Sequence, residues 1–443
     1  MKFVIIGAGP TGLGAAYRLN ELGVTNWEVY EKNNYVGGLS ASFKDENGFW
    51  WDIGGHVLFS HYPYFDEVVR KALKENYLTH LRESWIWILN RFVPYPFQNN
   101  IHRLPKKQMM ECLNGLKEVR GKKIDSSNFE KWIYSVFGKG IAKYFMVPYN
   151  WKVWAYPPNE MNSKWIGERV SVVDVGRIEK NIAENRDDVS WGPNNKFLFP
   201  LHGGTGGLFN GIADFFREKI KLNKELDKID LNKKIITFKD GSKTKYDYLI
   251  STIPIDLLVE KASLKECYKY LKDLKHSSGF IVGMGVRGKS PTSKCWMYFP
   301  ESNSPFYRVT CFSNYSPNNV PSKDYYSLMA ETSYSEAKEE NKKTIIDRTI
   351  KAFLDTKQMP KKDIKNIATK YLIDMEYTYP IPTVNRDMAL RAIQPYLMKK
   401  NVFSRGRFGA WKYEIGNMDH SFMQGVEVID KIVSGKKEKT WTL

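Results

Sequence analysis

The stretch Phe3-Val4-Ile5-Ile6-Gly7-Ala8-Gly9-Pro10-Thr11-Gly12 decides how this chain is read. Four apolar residues run straight into a glycine turn, and Leu13, Ala16 and Leu19 follow at helical spacing. The pattern predicts strand, tight turn and helix. Gly7, Gly9 and Gly12 let the backbone approach a pyrophosphate, and the helix start offers it free N–H groups and the positive end of a dipole. A second strand is expected over Trp27 to Tyr30. Glu31 closes it, at about the 20-residue offset of a carboxylate that holds a ribose hydroxyl. Such a carboxylate would repel a 2′-phosphate, so the pattern points to FAD or NAD. Further glycines at Gly37-Gly38-Leu39 and Gly54-Gly55-His56 favour FAD, a long cofactor that lies across bare backbone.

The chain has 443 residues, which implies two or three packed domains. Hydrophobic residues make up 42%, a globular composition. No apolar stretch approaches the ~20 residues that span a bilayer, so no membrane insertion is expected. The first strand begins at Phe3, which leaves no room for a cleaved signal peptide. Cys112, Cys267, Cys295 and Cys311 lack metal-like spacing, so a reduced, cytoplasmic setting without a metal is expected.

Net charge is +18, but the lysines are spread in pairs such as Lys122-Lys123, Lys233-Lys234, Lys342-Lys343 and Lys436-Lys437. That is a solvated surface that attracts anionic substrates, and no nucleic acid partner is expected. The 26 tyrosines and 13 tryptophans make stacking platforms plausible. Hydrolytic signatures are missing: there is no nucleophile elbow and no His-Glu-x-x-His.

The expected fold class is α/β: a Rossmann-like FAD-binding domain with an inserted helical domain and an antiparallel β-sheet domain. The FAD-binding domain is discontinuous, over 1–85, 200–265 and 400–443. The helical substrate domain covers 100–195, where β-rich runs are lacking. The sheet domain takes 86–99 and 266–399, with strands expected at Phe280 to Val286, Cys295 to Phe299, Tyr307 to Phe312, Tyr326 to Glu331 and Lys370 to Tyr377. One helix, about Glu340 to Asp355, interrupts the strands, and an amphipathic helix is expected over Phe422 to Ile432.

Short blocks rich in arginine, tyrosine, tryptophan and asparagine punctuate this frame. They include Pro94-Tyr95-Pro96-Phe97-Gln98-Asn99-Asn100, Pro148-Tyr149-Asn150-Trp151-Lys152-Val153-Trp154, Gly167-Glu168-Arg169 and Trp191-Gly192-Pro193-Asn194. Later come Cys295-Trp296-Met297-Tyr298-Phe299-Pro300, Tyr307-Arg308, Ser313-Asn314-Tyr315, Tyr379-Pro380 and Gly406-Arg407-Phe408-Gly409-Ala410-Trp411-Lys412-Tyr413. With the glycine turns, these blocks closely resemble the flavin-dependent UDP-galactopyranose mutases of the eukaryotic type, from Phe3 to about Val433.

The resemblance implies a redox-neutral isomerase that interconverts UDP-galactopyranose and UDP-galactofuranose. FAD would act reduced, through a covalent N5–sugar adduct, with the cofactor as nucleophile. It implies that Arg169 and Arg308 hold the departing diphosphate, with Tyr315, Tyr379 and Tyr413 as hydroxyl donors. Tyr95, Phe97 and Gln98 match the family's uridine residues, with Asn150 and Trp154 nearby. Asn194 and Trp296 match positions around sugar and flavin, and Tyr298 is a further expected substrate contact. Arg407 matches the arginine beside the isoalloxazine, and Gly416, Asn417, Met418 and Ser421 the segment that closes against the cofactor. His56 lies on a loop that moves with flavin redox state. NADPH is the implied external reductant, with Arg82 and Ser84 as its contacts. The partners are UDP-galactose and UDP. The segment after Ser316-Pro317 is short, and the oligomeric state stays open. Two alternatives remain: a mutase for another UDP-sugar, and an FAD-dependent oxidoreductase of the amine oxidase type.

Overall fold

The computed structural model describes residues 1–167, 170, 173–189 and 195–443. Its centre is a five-stranded parallel sheet. The strands run in the order Val402–Ser404, Tyr248–Ser251, Phe3–Ile6, Trp27–Tyr30 and Ile220–Lys221. Phe3–Ile6 is apolar at every position because both faces of the sheet are covered. Phe3 and Ile5 pack with Leu13, Ala16, Leu19 and Phe422 on one face. Val4 and Ile6 pack with Ile236, Leu258 and Leu390 on the other.

The helix Pro10–Glu21 begins with proline at its first turn, where the missing N–H costs nothing. It lies against the long helix Met418–Ser434. The approach is backbone to backbone. A Cβ on Gly425 would sit 2.0 Å from the Thr11 carbonyl oxygen, and one on Gly14 would sit 2.2 Å from that of Phe422.

A seven-stranded sheet stands beside this layer. Its order is Ile367–Pro380, His276–Arg287, Tyr325–Tyr334, Arg308–Cys311, Trp296–Tyr298, Ser84–Ile88 and Arg91–Pro94. The antiparallel expectation holds for five of its six pairings. Trp296–Tyr298 and Ser84–Ile88 run parallel, since the early hairpin adds itself to an edge formed by later strands. That addition carries Tyr95 to Tyr298, ring centroids 5.4 Å apart.

Against the hairpin edge of this second sheet pack the helices Lys106–Val119, Phe129–Ile141, Val147–Trp154 and Val175–Glu184. Asn128 and Asp174 cap two of them, accepting the N–H groups of Lys131 and Arg177. Their core joins Phe97, Ile133, Phe137, Phe145 and Trp154.

Some elements differ from expectation. The last helix begins at Met418 rather than Phe422, because Asn417 and Asp419 already form its first turn. The helix expected from Glu340 begins at Ile345, since Glu340 is held in the loop by Lys338 and Arg348. The helix Arg386–Lys399 and the strand pair Tyr77–Leu81 with Lys196–Pro200 were not foreseen. Among the described residues no helix is long and apolar enough to cross a membrane.

Candidate active site

A cavity of about 790 Å³ opens where the first strand ends, between the parallel sheet and the seven-stranded sheet. Gly7, Gly9, Glu31, Gly38 and Leu39 line one end; His56, Arg308, Tyr379, Arg407 and Tyr413 line the other.

The glycines of the first turn divide into two kinds. Gly7 has φ +98°, and a Cβ there would lie 2.1 Å from Thr252 Oγ1. A Cβ on Gly12 would lie 1.9 Å from the Gly7 carbonyl oxygen. These two are demanded by the protein's own packing. Gly9 is not: its Cβ would meet nothing nearer than 3.7 Å, yet it faces the cavity. Bare backbone without a packing reason, at a helix N-terminus, is the cradle a pyrophosphate fills. Gly37 donates its N–H to the Ala8 carbonyl at 2.8 Å and so lashes the second glycine turn to the first.

Glu31 is buried and accepts the Ala8 N–H at 2.8 Å, the Asn33 N–H at 3.0 Å and Asn33 Nδ2 at 2.8 Å. A carboxylate has about four acceptor positions, so one remains for a ribose hydroxyl. The residues present therefore fit FAD.

At the far end, Gly416, Asn417, Met418 and Ser421 present the N-terminus of the last helix to the cavity. Arg407 lies beside it, donating to the Gly416 carbonyl at 3.1 Å and the Thr378 carbonyl at 3.3 Å. Asp419, 1% exposed, accepts from the Nδ1 atoms of His61 and His420 at 2.8 and 2.9 Å. Burial pushes its pKa up, but the two histidines overrule that and hold it at about 2.

Arg308 projects into the same end and meets Glu331. Nε reaches Oε1 at 2.6 Å and Nη2 reaches Oε2 at 2.7 Å. Glu331 also accepts the Gly55 N–H at 3.0 Å and the Tyr307 hydroxyl at 2.9 Å. The Tyr307 and Tyr379 hydroxyls are 3.1 Å apart. Burial works against the charge on Arg308, but Glu331 holds its pKa well above the ordinary value. Burial likewise works against the charge on Glu331, and Arg308 keeps its pKa below the usual range.

His56 stands next to this pair. Burial, then the charges of Arg407 and Arg308, press its pKa down to about 4. Its Nδ1 is buried without a hydrogen-bond partner among the described residues. Among these neighbours the imidazole is neutral at ordinary pH.

The remaining expected contacts are not among the residues that line this cavity, and most of them are aromatic side chains packed on one another. Tyr298 packs on Tyr95 and accepts the Trp296 indole N–H at 2.7 Å. Arg82 lies 5.1 Å from the ring centroids of both Tyr95 and Trp296, and its Nε donates to Ser84 Oγ at 3.2 Å. Trp154 is 1% exposed, donates to Asn150 Oδ1 at 3.3 Å and packs on Tyr413 and Tyr379. That contact ties this packing to the cavity. Phe97 is fully buried on Phe145, Gln98 is buried beside it, and Tyr315 is packed among Phe197, Phe199 and Phe312. Gly54 stands just behind the lining residue Gly55. Arg169 and Asn194 lie outside the described residues.

Sequence reasoning missed Glu331, Thr252 and Asp419 as site residues. Glu331 did carry a signal, as the one acid inside an otherwise uncharged strand, Tyr325–Tyr334.

The family model for flavin containing amine oxidoreductases matches residues 10–417. A solved structure of a reduced UDP-galactopyranose mutase is 48% identical and superposes with a TM-score of 0.96, covering 99% of this chain and 95% of that one. Putrescine oxidase, at 14% identity, superposes with a TM-score of 0.66 over 98% of this chain and 99% of its own, a likeness of fold alone. Among curated relatives, the 15-cis-phytoene desaturase of Capsicum annuum is 23% identical over 393 residues, 79% of this chain and 64% of the desaturase. That of Synechococcus elongatus is 36% identical over 87 residues, 20% of this chain. The matches thus span 64% and 18% of the two desaturases, under two thirds of each. The chain belongs to the flavin containing amine oxidoreductases and, within them, to the UDP-galactopyranose mutase family.

Proposed function

We propose that this protein is an FAD-dependent UDP-galactopyranose mutase, an isomerase that interconverts UDP-galactopyranose and UDP-galactofuranose. One observation carries the reading beyond family membership. The dinucleotide cradle and a cluster of arginine and tyrosine side chains share a single cavity.

Glu31 and the glycine turns at Gly9 and Gly38 would hold FAD, which, bound and reduced, would supply an electron-rich ring nitrogen as the nucleophile. The chain's own residues do the rest. Arg308 takes the diphosphate, since a fixed guanidinium is matched to phosphate oxygens and is always charged. Tyr379 and Tyr413 add neutral hydroxyls from the same wall. Arg407, with the helix N-terminus at Met418, sets positive potential where an electron-rich ring system needs it. Neutral His56 occupies the space beside Arg308 without adding a competing charge. Arg169 is the proposed second arginine on the diphosphate, and Asn194 the proposed sugar contact.

Tyr95, Phe97, Gln98, Asn150 and Trp154 are the proposed uridine residues, with Trp296 and Tyr298 as further substrate contacts and Tyr315 as a third hydroxyl toward the diphosphate. Phe97 and Trp154 are buried, so their proposed part is to shape the aromatic packing on which Tyr95 and Tyr413 stand. NADPH is the proposed reductant, contacting Arg82 and Ser84. The four free cysteines support a reducing, cytoplasmic setting.

The test is direct. The visible spectrum of the purified protein is recorded, dithionite is added, and UDP-sugars are separated by chromatography. Reduced protein equilibrates the pyranose and furanose forms and oxidised protein does not. Equal activity in both states would falsify the reduced-flavin mechanism.

A further inference from the structure

Arg308 and Glu331 face each other across neighbouring antiparallel strands. The pair does more than hold those strands. All of the roughly four acceptor positions of the Glu331 carboxylate are taken. Oε1 receives Arg308 Nε and the Gly55 N–H, and Oε2 receives Arg308 Nη2 and the Tyr307 hydroxyl. Gly54 comes so close, at φ +91°, that a Cβ would lie 2.9 Å from Oε2. The guanidinium is therefore pinned to the backbone turn that carries His56. It has five N–H donors, and the carboxylate takes two of them, on Nε and Nη2. Nη1 carries no bond among the described residues. Glu331 itself lines the cavity where an anion is to bind, so one carboxylate competes with that anion for one arginine.

We propose that Glu331 is a positioning residue that tempers the grip of Arg308 on a nucleoside diphosphate. This rests on the mutase reading for the identity of the anion. In that reaction the diphosphate leaves the sugar, waits and returns, and the product must then dissociate. An arginine with its charge undiminished would hold the diphosphate equally tightly at every stage, and uniform binding of that kind lowers KM without raising kcat. Glu331 cancels part of the charge, fixes the plane of the guanidinium and leaves the Nη1 edge to the ligand.

The experiment uses FAD-loaded protein and Glu331→Gln, which keeps the shape and removes the charge. UDP affinity is measured by calorimetry and turnover with dithionite-reduced enzyme. The variant should bind UDP at least threefold tighter and turn over at least tenfold more slowly, with unchanged FAD content. UDP affinity that is equal or weaker, or an unchanged kcat, overturns the proposal; a merely structural role predicts weaker binding and lost turnover together. If Glu331→Gln does not fold, Tyr307→Phe removes one donor and keeps the charge. It should lower kcat at least threefold with UDP affinity within twofold of wild type, and unchanged kcat overturns the proposal. Wild-type protein run alongside separates the two ideas. If it binds UDP but shows no turnover when reduced, the mutase reading fails, and the affinity comparison still decides the role of Glu331.

Discussion

His56 shows how a single side chain reports its surroundings. Its pKa is about 4 in the folded protein, against the 6.5 of an ordinary histidine. Between those values the unfolded chain binds a proton that the folded chain refuses. The stability contributed by this neutral imidazole is therefore complete above about pH 6.5 and is lost as pH falls toward 4. Replacing His56 with Asn removes that proton. Thermal melts at pH 7 and pH 5 should show a larger drop in midpoint for wild type than for the variant, and equal drops would contradict the buried, neutral imidazole. In the sequence His56 was marked by the two glycines before it together with the family resemblance. Glu331 was not legible as a site residue, because its meaning depends on the pairing that sets it opposite Arg308. Until strands 308–311 and 325–334 are brought together, the two residues are only a charge on each of two separate strands.

At the scale of elements, the first and last helices touch through glycine. A methyl group at Gly425 would lie 2.0 Å from a carbonyl oxygen of Pro10–Glu21, and neither backbone can retreat without lifting its helix from the sheet. Overpacking of a tight site costs about 1–3 kcal/mol, and backbone-to-backbone overlap sits at the upper end. Gly425→Ala should lower the melting midpoint by several degrees and weaken FAD retention in step. Melting followed by tryptophan fluorescence, beside flavin release on a desalting column, measures both. The glycine-turn helix was easy to foresee, since strand, turn and helix signals sit within 20 residues. Arg386–Lys399 was hidden by Pro395 inside it and by a fully buried Arg386, which reads as surface until Asp387 and Glu414 are seen to pair with it. Tyr77–Leu81 was hidden because its partner strand, Lys196–Pro200, lies more than a hundred residues away.

For the whole molecule, the formal charge of +18 is the property that a distant substrate meets first. A positively charged body draws in a nucleoside diphosphate and speeds its arrival, and salt screens the attraction beyond about 8 Å at physiological strength. Stopped-flow mixing with UDP should show the association rate falling several-fold between low and high salt, with the dissociation rate moving much less. An association rate indifferent to salt would mean that the charge is only a solvating coat. The architecture itself was legible in outline, because parallel and antiparallel regions differ in their apolar patterning. The crossing of the hairpin 84–94 onto strand 296–298 was not, since nothing local in either segment names its neighbour.

The cofactor cradle is assembled from residues at the two extremes of the chain. Strand 3–6 and helix 10–21 need strand 402–404 and helix 418–434 beside them. A nascent polypeptide emerging from the ribosome thus exposes the pyrophosphate turn hundreds of residues before the segment that closes on it has been made. Flavin capture accordingly waits until helix 418–434 has been made and has docked on helix 10–21.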